Sequence, residues 1–136
     1  MQQEERIIRK IITDEVIIGL RDDGVVHVYY KEHTELDVKL QLETLEYYKQ
    51  ICGDKNRPFI FEADEYVTVT KEARENSLLL EEQSPVSMRA ILVKNLAHKL
   101  IADFYLKFNK PKRPFKVFKD FQEGINWLNN HAKKNK

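Results

Sequence analysis

The chain has 136 residues, 42% of them apolar and 33% charged, which fits one globular domain with a heavily solvated exterior. A domain of this length buries roughly two-thirds of the surface its unfolded chain exposes, so neither a disulfide nor a metal is needed to hold it together. Its 23 basic and 22 acidic side chains leave a formal net charge of +1, which argues against a global electrostatic affinity for nucleic acid or a membrane surface.

In chain order, the opening residues MQQEERIIRKII carry two glutamates among the first five and then mix charge with isoleucine. That is not the basic start and unbroken apolar run of a secretory signal. No apolar stretch approaches the roughly 18 residues of a membrane span, so the expectation is a cytoplasmic protein. Arg6–Ile12 reads either as an extra strand or as an early helical turn, and residues 1–14 are taken as an N-terminal extension. Glu15–Leu20 and Val25–Tyr30 are rich in β-branched residues and flank Asp23-Gly24, a strong hairpin signal because the tight turn needs positive φ.

Asp37 is placed to cap a helix running to Cys52, with Val38, Leu42, Leu45 and Ile51 near helical spacing and Leu40 and Tyr48 widening the apolar face. Gly53 stands where a left-handed C-cap belongs. Cys52 is the only cysteine, so no internal disulfide can form, and its place at a helix C-terminus disfavours a thiolate. Pro58 leads into Phe59-Ile60-Phe61, a short buried strand that ends in Glu62-Ala63-Asp64-Glu65. Thr70 is the next candidate N-cap, and the helix it starts should stop before Pro85.

Met88–Val93 reads as a second buried strand, and Asn95 caps a third helix with an apolar stripe of Ala97, Leu100, Ile101, Phe104 and Phe108. Phe115–Phe118 is the last strand. Asp120 and Glu123 resemble a capping box for a final helix carrying Ile125, Trp127 and Leu128, after which His131–Lys136 forms a frayed tail. The order β-β-α-β-α-β-α-β-α predicts a single α/β domain over residues 15–130, with about four helices. Its mixed sheet joins an N-terminal antiparallel hairpin to mostly parallel strands.

This arrangement resembles the STAS domain, the fold of bacterial anti-sigma-factor antagonists and a relative in shape of SEC14-like lipid-binding domains. More specifically, the chain resembles an uncharacterised bacterial STAS-like family. The residues that carry the likeness are Asp23-Gly24-Val25-Val26, Pro58 to Asp64, Thr70 to Arg74, Phe104 to Pro111, Pro114, Phe118 and Trp127-Leu128. The resemblance implies a protein-interaction module. It also implies a regulatory hydroxyl at the start of the second helix, the place Thr70 holds. Signalling members carry an Asp-Ser and a glycine there; this chain has Val69-Thr70-Lys71-Glu72, and Glu72 would repel a phosphate.

Each candidate site has a plainer counterpart. Thr70 is a partner-facing hydroxyl or simply a helix cap worth about 1 kcal/mol. Asp64 and Glu65, with Glu62, lie beyond the carboxyl end of a strand, where open parallel sheets bind ligands, or they form a solvated loop. Together with Asp120 they are the only acids suited to a metal-dependent hydrolase. Asn95, at the head of the third helix, is the remaining partner-facing candidate. Lys107, Lys110, Lys112, Arg113, Lys116 and Lys119 form either a phosphate-binding patch or the exposed alternation around core phenylalanines. His27, His33, His98 and His131 show no metal-ligand spacing. No phosphate loop, dinucleotide fingerprint or nucleophile motif is present, so no cofactor is expected.

The reading is therefore a non-catalytic interaction module whose partner is another protein, possible self-association as a homodimer included. The alternative is a small-molecule or lipid-binding domain, which requires an apolar cavity between sheet and helices lined by Phe104, Phe108 and Trp127. A hydrolase comes third.

Overall fold

The computed structural model describes residues 6–96, 98–100, 102–103 and 112–134. In chain order these contain β1 (Ile7–Ile12), β2 (Val16–Arg21), β3 (Val26–Tyr30), β4 (Glu35–Leu36), α1 (Val38–Cys52), β5 (Arg57–Ala63), β6 (Thr68–Val69), α2 (Lys71–Leu80), a 3-10 turn (Glu81–Gln83), β7 (Val86–Leu92), β8 (Phe115–Phe118) and α3 (Phe121–Lys134). Residues 96, 98–100 and 102–103, between β7 and β8, are also helical.

Six strands form one sheet in the order β1-β2-β3-β5-β7-β8. β1, β2 and β3 pair antiparallel, while β5, β7 and β8 add to β3 in parallel. The mixed sheet expected from the sequence is thus observed. Arg6–Ile12, left open between strand and helical turn, resolves as edge strand β1.

The caps follow from local sequence. Gly24 takes φ 88° at the hairpin turn, a value that disfavours any side chain. Asp37 Oδ1 accepts from Leu40 N at 2.9 Å to open α1, and the Gly53 N–H, at φ 66°, donates to the Lys49 carbonyl to close it. Thr70 Oγ1 accepts from Ala73 N at 3.1 Å, and Asp120 Oδ2 from Glu123 N at 3.1 Å.

Strand alternation splits the core between two faces of the sheet. Val26, Val28, Tyr30 and Phe59 pack against Tyr48, Ile51 and Cys52 of α1. Val25, Ile60, Met88, Ala90 and Phe118 pack against Ile125 and Leu128 of α3. Phe59 and Ile60 are neighbours in β5 and fully buried on opposite sides. At Gly124 an added Cβ would lie 3.0 Å from Ile60 Cδ1, so the glycine lets α3 sit close on its face.

The structure corrects several expectations. The parallel pair β4–β6 was not foreseen; two-residue strands carry too little pattern to read. Leu42 lies on the outer side of α1, whose buried face runs through Leu40, Thr44, Leu45, Tyr48 and Ile51. On the helix after β7, Leu100 is 60% exposed while Ala102 is buried. Leu100 therefore lies off the buried side expected for it; the other residues assigned to the stripe lie outside those whose side chains are described. α3 runs to Lys134, so residues 131–134 extend the helix where a frayed tail was expected, and the His131 ring lies against Trp127.

Candidate functional site: a cavity between sheet and helices

A cavity of about 230 Å³ lies on the α1 face of the sheet, with α1 on one side and α2 above it. Tyr30, Phe61, Ala63, Arg89 and Ile91 line it from the strands, Thr44, Leu45 and Tyr48 from α1, and Ala73, Ser77 and Leu80 from α2. His98 and Ala102 reach it from the helix after β7. The space exists because α2 brings small residues inward: Ala73 is its one buried side chain, so the helix covers the sheet without filling the gap. Gln41 ties the two helices together: its Nε2 donates to the Ala73 carbonyl at 2.7 Å, and its Oε1 accepts from Asn76 Nδ2 at 3.0 Å.

Few polar groups face this apolar space. The Tyr30 and Tyr48 hydroxyls lie 3.2 Å apart, and burial pushes both phenols above their ordinary pKa, so they stay neutral hydrogen-bonding groups. The Arg89 guanidinium sits 5.9 Å from the centre of the Phe61 ring. Among the described residues no carboxylate pairs with it. Both ring nitrogens of His98 are shielded and lack a hydrogen-bond partner. Burial, then the charge of Lys94, hold this histidine below its ordinary pKa. Glu62, the one acid lining the cavity among the described residues, is held by His27 at 3.2 Å and Lys94 at 3.0 Å; the His27 bond is the main cause of its lowered pKa.

The residues singled out from sequence are scattered. Thr70 spends its hydroxyl on the α2 cap, and Asn95 Oδ1 accepts from His98 N at 2.9 Å as the corresponding cap. Asp64 accepts from the Tyr29 hydroxyl and from Glu65 N, with Glu65 exposed beside it. Arg113 donates to the carbonyls of Ser84 and Val86 at 2.7 and 2.8 Å, while the backbone N–H groups of Lys112 and Arg113 reach the buried Glu81 carboxylate. Lys112 pairs with Glu82, Lys116 and Lys119 are exposed, and Lys107 and Lys110 lie outside the described residues. Trp127 packs on Phe118 among the α3 side of the core, away from the cavity it was expected to line; Phe104 and Phe108 also lie outside the described residues.

Burial pushes the Cys52 thiol up to about 11, which leaves it protonated at neutral pH. Among the described residues no three His, Cys, Asp or Glu side chains cluster as a metal site, and no helix is long and apolar enough to cross a membrane. Arg89 escaped notice because Met88–Val93 read as an apolar strand. The available signal was the lone cation at an alternating position within it.

Comparison with curated proteins finds no match. Among solved structures, an uncharacterised protein of the DUF3478 family from Shewanella loihica PV-4, described as having a SpoIIAA-like fold, superposes with a TM-score of 0.57 at 15% identity. The match covers 87% of this chain and 98% of that one. It shows the fold alone: a SpoIIAA-like, and so STAS-like, α/β scaffold. Residues 18–132 match the model of a domain of unknown function, DUF7793, and the chain belongs to that family.

Proposed function

We propose that this domain is a non-catalytic binding module that takes a small apolar molecule into the space between the sheet, α1 and α2. The cavity itself carries the reading: apolar walls with a few polar groups are the usual form of a ligand site, and a volume of about 230 Å³, below the roughly 300–1,000 Å³ of drug-sized sites, suits a small molecule. The protonated Cys52 and the occupied carboxylate of Glu62 support binding over chemistry. A lone buried cysteine also suits a reducing compartment, and we place the protein in the cytoplasm.

A neutral fluorophore, N-phenyl-1-naphthylamine, tests the proposal. Saturable binding with a blue-shifted emission is expected, at about one molecule per chain. Fluorescence that rises without saturating, or not at all, would remove it.

One observation favours a second reading, docking to another protein as the STAS resemblance implies. Tyr66 is 66% exposed yet stacked on His33 at 4.9 Å, and both residues have positive φ. They stand beside Glu65, whose carbonyl accepts from His33 N. Sedimentation over a range of concentrations checks the homodimer form of this reading, and a monomer throughout, unchanged by Tyr66→Ser, would count against it.

A further inference from the structure

Resting on the cavity reading above, we propose that the ligand is an amphiphilic carboxylate: a short apolar tail in the space beneath α2 and an anionic head received by Arg89. Arg89 pairs in register with Phe59, on the sheet face that packs on α1. Its guanidinium lies over Phe61 and lines the cavity.

A charge facing an apolar cavity is costly unless something compensates it. Among the described residues nothing anionic does so. Glu62 is already held between His27 and Lys94, and the Tyr30 and Tyr48 hydroxyls are neutral. An incoming anion would supply the missing partner. His98 also lines the cavity, with both ring nitrogens shielded, so Arg89 is the group that meets the anion.

The chemistry of the head follows from the donor. The planar Arg89 guanidinium matches a carboxylate in two parallel hydrogen bonds, while Arg74, which also lines the cavity, donates through Nη1 to the Val69 carbonyl at 2.9 Å. The size of the tail follows from the volume. The cavity of about 230 Å³ has room for a flexible chain of about eight carbons.

The probes are octanoate, octan-1-ol and octylamine, each displacing N-phenyl-1-naphthylamine at neutral pH from the wild-type chain and from Arg89→Met and Arg89→Lys. Octanoate should displace the fluorophore at a concentration at least about tenfold lower than octanol, with octylamine weakest. Arg89→Met should bring octanoate and octanol to parity, and Arg89→Lys should keep part of the preference. Equal displacement by octanoate and octanol in the wild type overturns the inference while leaving the cavity reading intact. A preference that survives in Arg89→Met overturns the role of Arg89. If the fluorophore does not bind at all, both readings fall together. Circular dichroism reports whether Arg89→Met is folded; should it not fold, the wild-type ranking of the three probes decides, and octylamine matching octanoate sinks the proposal.

Discussion

Replacing Asp23 by alanine is expected to cost about 3–5 kcal/mol of folding stability, the scale for stranding one member of a buried ion pair. Arg21 has a side chain only 3% exposed and donates to Asp23 through Nε and Nη2 at 3.0–3.3 Å. It also lies 5.5 Å from the Phe121 ring of α3. Asp23 in turn accepts from Val25 N within the hairpin turn and from Asn129 Nδ2 in α3. One carboxylate therefore closes the turn, neutralises a buried guanidinium and fastens the first hairpin to the last helix. Asp22, one residue earlier, pairs with Arg6 at 3.0 Å with both side chains about half exposed. Asp22→Ala should cost less than about 1 kcal/mol. Equilibrium unfolding in urea measures both, and equal losses would show that burial is not what separates the two pairs.

The same carboxylate makes the loss depend on pH. Burial alone would raise the Asp23 pKa, but the Arg21 hydrogen bond and charge, the Val25 N–H and Asn129 outweigh it and hold the group below its ordinary 3.8. A carboxyl depressed in the folded state contributes stability that is complete above the unfolded value and is lost as pH falls through the folded one. The gap between wild type and Asp23→Ala should therefore be full at pH 6 and narrow from about pH 4 downward. Glu62, held below its ordinary 4.5 by His27, then Lys94, adds to the acid lability of the wild type in the same direction.

Ala73→Leu is expected to abolish uptake of the fluorophore while changing stability by less than about 1 kcal/mol, because the new side chain enters existing space. Ala73 is fully buried and lines the cavity from the first turn of α2. Three added carbons at about 30 Å³ each would occupy about 90 Å³ of it. Were the region already close-packed, the same change would force neighbours apart at about 1–3 kcal/mol. The Ala73 N–H and carbonyl, which serve the Thr70 cap and Gln41, are backbone groups that the substitution leaves in place. Fluorophore titration and urea unfolding of the one variant separate these outcomes. Full binding with unchanged stability would place the fluorophore elsewhere.

What sequence alone determined about this protein is what short-range chemistry decides. Asp37, Gly53, Thr70, Asn95 and Asp120 each act within about four residues of themselves, and Asp23-Gly24 bends the chain on its own. Alternating apolar runs set the strands and so the α/β class. The outward side of Leu42 marks where that legibility ends. Two apolar stripes of similar strength can compete on one helix, and the sheet chooses between them. Only the tertiary structure brought Arg21 and Asp23 to Asn129, and Glu81 to the backbone of Arg113. It alone left a gap beneath α2 with Arg89 at its wall. A cavity is a packing deficit among elements distant in the chain. No local pattern encodes it, because each segment that borders it is by itself an ordinary amphipathic helix or buried strand.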